Sequence, residues 1–154
     1  MSKRLVDTTI WTKAWFRALD PEEKCAWKYL TDQCDNVGVW SVDTELADTF
    51  IGKHIDWKKF PEKCNNNIFV MSDTKWWLVD FCSFQHPDLD PNSKSKPILS
   101  YIRDLKRHGI WDEAEGCPYP FHTLCDMVQG KERLGKVRKG EGPFPRMPWQ
   151  RNAG

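Results

Sequence analysis

Two apolar runs, IFVMS at 68–72 and KWWLVDFCSFQ at 75–85, flank the dipeptide Asp73-Thr74. Strand-forming residues on either side of a short polar break predict a β-hairpin. With Asp73 and Thr74 as the loop, Met71 faces Trp76 and Val70 faces Trp77. Ile68, Val70, Trp77, Val79 and Phe81 then line one face, and Phe69, Met71, Trp76 and Leu78 line the other. Both faces are apolar, so something must cover each of them. Trp76 sits next to the turn, where cover thins out, and of the two adjacent indoles it is the one expected to be exposed.

Helices are available to cover the hairpin. Residues 9–19 place Trp11, Trp15, Phe16 and Leu19 on one helical face. DPEEKCAWKYLTDQC opens with Asp20 as N-cap, Pro21 at the first helical position and Glu23 at the capping-box position. This helix should stop near Asp35-Asn36. Val37–Trp40 reads as a short strand. SVDTELADTFIG follows as a helix capped by Asp43, with Leu46, Ala47, Phe50 and Ile51 on its apolar face and Gly52 at its end. In KHIDWKKFPEKC, Pro61 would break a continuous helix, so two single turns are expected, the second starting at Pro61. A last helix runs from about Pro97 to His108, with Ile98, Leu99, Ile102 and Leu105 buried and Arg103, Lys106 and Arg107 exposed. From Glu115 the apolar period fades. Residues 1–112 therefore read as one domain, and 113–154 as a Pro/Gly-rich basic tail, extended or disordered.

Charge is distributed unevenly. Residues 131–154 carry seven Lys or Arg against two Glu, a net of +5, so the overall +1 leaves −4 for the remainder. Such a segment suits nucleic acid or an acidic partner, or simply aids solubility. Nine tryptophans in 154 residues form either an aromatic core or a surface on which bases stack. Residues 1–20 show no signal-peptide pattern, and no apolar run nears the ~20 residues of a membrane helix. The six cysteines then read as reduced thiols of a cytoplasmic protein.

Enzymatic readings find little support. Cys117, His122 and Cys125 lack the second ligand pair of a structural zinc site. GKERLGK lacks the spacing of a phosphate-binding loop. No nucleophile is spaced to form a triad with His86. No catalysis, metal or cofactor is expected.

The order helix, helix, strand, helix, broken helix, hairpin, helix is that of an α+β winged helix-turn-helix. It would carry an N-terminal aromatic helix, a two-stranded hairpin wing and a C-terminal helix. The Trp-x3-Trp-Phe start, YLTDQCDNVG, Phe-Ile-Gly at 50–52, KWWLVDFCSFQ and the PNSK before the last helix also resemble phage replication initiators. The resemblance is to the N-terminal module of that DnaD-like replisome-organiser and primosome family, over roughly residues 3–111. It implies a winged helix that binds duplex or single-stranded DNA in the cytoplasm of a bacterial host. It also implies a role in origin or replisome assembly, with a helicase or helicase loader as partner. The alternative is a winged-helix protein-interaction module or transcriptional regulator that barely touches DNA. Self-association is open.

Lys53, His54, Lys58, Lys59 and Lys63 surround the presumed recognition segment, and Lys75 and Trp76 sit at the wing tip. Arg133, Lys136, Arg138 and Lys139 extend the basic set into the tail. Lysines of this kind contact phosphates without reading sequence, or else form the solvated face of an ordinary helix.

Overall fold

The computed structural model describes residues 3–134, which form a mixed α+β chain. The chain divides into two compact units between Pro87 and Asp88, not at residue 112. The dividing stretch holds Pro87 and Pro91 and a tight turn in which Asp90 accepts from the Asn92 N–H at 2.8 Å.

In the first unit, Asp7 caps a 3-10 turn at Thr8–Thr12, and α1 (Ala14–Arg17) follows. The single helix expected over 9–19 is interrupted at Lys13, whose backbone is extended. Trp11 is thereby turned outward, its ring meeting that of Phe16 edge-on with centroids 5.1 Å apart, while Phe16 and Leu19 are buried. The helix α2 (Pro21–Gln33) starts as its capping residues predict, with the Asp20 N–H donating to Glu23 Oε1 at 3.0 Å. Arg4 closes its other end, donating to the Thr31 carbonyl at 2.6 Å while lying 5.1 Å over the Phe81 ring.

The strand β1 (Val39–Ser41) is reached through Gly38, where φ is +95° and a Cβ would lie 2.9 Å from the Leu78 carbonyl oxygen. Only glycine fits that approach. Asp43 then caps α3 (Thr44–Ile51), which Gly52 ends in the left-handed region. The single-turn helix α4 (Phe60–Lys63) has Pro61 in its first turn, in keeping with the two separate turns expected there. The hairpin strands are β2 (Ile68–Ser72) and β3 (Lys75–Leu78), and the three strands form an antiparallel sheet in the order β1-β3-β2.

The hairpin register differs from the expectation by one residue. Val70 faces Trp76 and Phe69 faces Trp77, while Ser72 faces Lys75. Met71 is the extra residue of a β-bulge, and a slip of one residue exchanges the faces. Ile68, Trp76 and Leu78 therefore join Trp40 on the face that meets the unit's core, and Val39, Phe69 and Trp77 take the other. Both indoles are buried: Trp76 is 6% exposed and Trp77 0%. Trp77 donates from Nε1 to the Val37 carbonyl at 3.0 Å.

The core is built on three indoles. Trp40 and Trp76 meet edge-on at 5.3 Å, Trp57 lies 5.6 Å from Trp40 and 6.1 Å from Trp76, and Phe60 meets Trp57 at 5.6 Å. Each such pair adds about 0.5–1.5 kcal/mol beyond the area it buries. The chain after β3 leaves the sheet as α5 (Phe81–Gln85), where continued strand was expected. Gln85 ties this helix to the N-terminal segment by two reciprocal 2.8 Å bonds with the Leu5 backbone.

The second unit contains α6 (Lys96–Arg107), close to the expected span. Ile102 and Leu105 are buried as expected, but Leu99 is exposed. The strands β4 (Trp111–Asp112) and β5 (Cys117–Pro118) form a small antiparallel ribbon. Asp112 Oδ1 accepts from the Ala114 and Glu115 N–H groups inside its turn. The helix α7 (Phe121–Leu134) occupies sequence expected to be extended, with Leu124 buried. Its apolar residues Leu124 and Val128 do recur at helical spacing, but the prolines just before it mask the signal. No helix among the described residues is long and apolar enough to cross a membrane.

Candidate nucleic-acid interface

The connection from Gly52 to Lys59 carries four of the cations proposed from the sequence, Lys53, His54, Lys58 and Lys59. Burial alternates along it. Ile55 and Trp57 point inward, while Lys53, His54, Lys58 and Lys59 are exposed. The reason for this conformation is Asp48, on α3. Its Oδ1 accepts from Trp57 Nε1 at 2.8 Å and from the Ile55 N–H at 3.1 Å, and its Oδ2 meets His54 Nδ1 at 2.8 Å. Burial pushes the Asp48 carboxyl upward, but the bonds from His54, Trp57 and Ile55 outweigh it and hold its pKa below the ordinary carboxylate value. An ionised carboxylate only accepts, so the His54 Nδ1 carries a proton toward it. Asp56 then caps the next turn, accepting from the Lys59 N–H at 3.3 Å.

Pairing removes several of the proposed contacts. Lys63 binds Glu23 Oε2 at 2.8 Å, and Lys59 lies 3.9 Å from Asp56. Burial raises the Glu23 carboxyl, but Lys63 and the Asp20 N–H more than compensate and leave its pKa lowered. Asp20, Glu22, Glu23 and Asp56 line a shallow cleft of about 210 Å³ together with Lys53, His54 and Lys63. The surface here is a mixed-charge lattice, not a positive patch. Lys53 and Lys58 are exposed and form no ion pair among the described residues. Lys75 is half-buried at the hairpin end, opposite Ser41 and Ser72. The Val42 N–H donates to the Thr74 carbonyl at 2.9 Å, which fixes the hairpin tip beside the start of α3.

Two expectations fail here. Trp76 does not reach a base, because its indole is enclosed by Trp40 and Trp57. The apolar face assigned to α3 is also partly wrong. Ala47 is buried, but Leu46 is exposed and Phe50 is 71% exposed, stacked on Tyr29 at 6.2 Å. Ala47 and Ile51 face the core one position further on, and a helical stripe three residues wide does not reveal which edge is covered.

α4 spans four residues, about 6 Å at 1.5 Å per residue, too short to follow a major groove. Arg133 lies in α7, and Lys136, Arg138 and Lys139 lie outside the described residues. Cys117 is exposed in β5 and Cys125 half-buried in α7. Among the described residues no group of three His, Cys, Asp or Glu side chains is placed to hold a metal ion. Burial pushes the Cys34, Cys64 and Cys82 thiols up to about 12, which makes them poor nucleophiles. No family model, curated protein or solved structure matches this chain.

Proposed function

We propose that residues up to Pro87 form a winged-helix module that acts without catalysis in phage DNA replication. The module touches DNA through the phosphate backbone and helps organise origin or replisome assembly. One observation carries this reading. Helix α2, strand β1, helices α3 and α4 and the β2-β3 hairpin follow in winged-helix order, with the sheet ordered β1-β3-β2 and the hairpin tip beside α3. The replication context rests on the sequence pattern of YLTDQCDNVG, Phe-Ile-Gly and KWWLVDFCSFQ. Lys53, Lys58 and Lys75 are the phosphate contacts of the module, and the basic segment 131–154 adds long-range attraction. With a single-turn α4, contacts position the protein without reading bases.

A second reading has its own support. Ion pairing of Lys59 and Lys63, together with the exposed Phe50, favours a module that assembles proteins, such as a helicase or its loader, and leaves DNA to the basic segment. Anisotropy of a labelled random duplex decides between them. Under the DNA reading, affinity of the full chain falls between roughly 50 and 200 mM salt, and a Lys53/Lys58/Lys75→Glu triple variant flattens the salt slope by roughly 2–3. A triple variant that binds like the wild type rejects DNA contact by the module and leaves the assembly reading.

A further inference from the structure

The Asp48–His54 pair has a consequence for ligand binding beyond holding the connection in place. Asp48 engages His54 through Nδ1 at 2.8 Å, and the His54 side chain is 86% exposed. The ring is thus held through Nδ1 while most of the side chain is open to solvent. In the neutral ring the proton sits on Nδ1, toward the carboxylate, and Nε2 offers a lone pair. A lone pair repels a phosphate oxygen. When the ring takes up a second proton, Nε2 becomes a donor on a cation, and a charge-assisted bond to phosphate becomes available. Histidine is the side chain that makes this change between pH 5 and 8.

We propose that Asp48 orients His54 so that its outer nitrogen is a phosphate contact that forms only when the imidazolium is present. The inference rests on the DNA-contact reading above. Asp48 is a positioning residue in it, since it acts through the histidine.

The charged groups around the ring set the terms. Asp48 faces it from α3. The cleft that the ring lines is also lined by Asp20 beside α2, Glu22 and Glu23 in it, Lys63 from α4, and Lys53 and Asp56 from the ring's own connection. Glu23 is neutralised by Lys63 and Asp56 is near Lys59, which leaves Asp20, Glu22 and Asp48 as the other acids around the ring. Those same acids repel phosphate inside the cleft, so the approach is over the solvent-exposed surface of the connection, where Lys53, His54 and Lys58 are exposed.

The test uses the full chain and a labelled random-sequence duplex, with salt titrations at about pH 6 and about pH 8. The wild type should bind about two- to fivefold more tightly at the lower pH, the range of one exposed ion pair. Its salt slope should steepen by about 0.9, the increment of one added phosphate contact. The exposed substitution His54→Gln should remove both changes, so that its affinity and salt slope are the same at the two pH values. Asp48→Asn, which keeps acceptors for Trp57 and Ile55, should shrink the gain at low pH. If His54→Gln keeps the full pH response, the response belongs to other groups, including His86, His108 and His122, and the proposal is wrong. Wild-type binding that ignores pH overturns the proposal and leaves the DNA reading standing. Absence of binding at both pH values overturns both.

Discussion

The indole cluster and the Gly52–Lys59 connection meet at one residue, Trp57, and they obey different rules. In the cluster, Trp40, Trp57 and Trp76 are placed by burial, which any large apolar side chain seeks. In the connection, Lys53, His54, Lys58 and Lys59 are exposed, and what matters is whether each one meets a carboxylate. Trp57 belongs to both: its ring lies against Trp40 and Trp76, and its Nε1 donates to Asp48. The aromatic richness of the sequence therefore builds a scaffold, and the proposed contact surface is the polar layer fastened to it.

Five substitutions test that division. The largest effect belongs to Trp76→Ala, which should cost about 3–5 kcal/mol as a core truncation. Chemical denaturation reads it; a variant that keeps its stability but loses DNA affinity would return Trp76 to the surface. Asp48→Ala comes next, at about 1–3 kcal/mol, because the Trp57 indole and the Ile55 N–H lose their acceptor. Its pH dependence has a defined sign. The folded Asp48 pKa is depressed, so its stabilisation is complete above the unfolded value of about 3.9 and is lost as pH falls through the lower folded value. Denaturation midpoints below about pH 4 should therefore fall less steeply in the variant than in the wild type.

Glu23→Ala should cost about 1 kcal/mol through the lost cap on α2. It should also free Lys63, so the salt slope of DNA binding steepens by up to about 0.9; an unchanged slope would mean that Lys63 faces no phosphate. The smallest effect separates two neighbours. Lys58→Ala should flatten the slope by about 1, and Lys59→Ala by less, since Lys59 already lies near Asp56. Equal effects would erase the distinction between paired and unpaired cations.

Local features of the sequence carried the reading where an element is specified by its own residues. Asp20, Pro21 and Glu23 marked the start of α2, Asp43 and Gly52 bounded α3, and Pro61 divided the segment before the hairpin. Failures occurred where a distant residue decides. The Met71 bulge moves the pairing by one residue, and nothing in Asp73-Thr74 announces it. The break at Lys13 sends Trp11 outward although its helical spacing to Trp15 is sound. In the candidate site, Lys53 and Lys58 kept the exposure assigned to them. Lys63 was lost to Glu23, forty residues away, a partner that only the folded chain brings within 2.8 Å.

The sequence by itself determined the types of the elements from α2 to β3 and of α6, the helix caps and the list of cations, because these depend on neighbours within about one helical turn. Tertiary structure alone decided which tryptophan faces the core, which apolar residues of α3 remain outside and which lysines are already neutralised. Each of those outcomes is a contact between residues far apart in the chain, and periodicity carries no information about which partner will arrive.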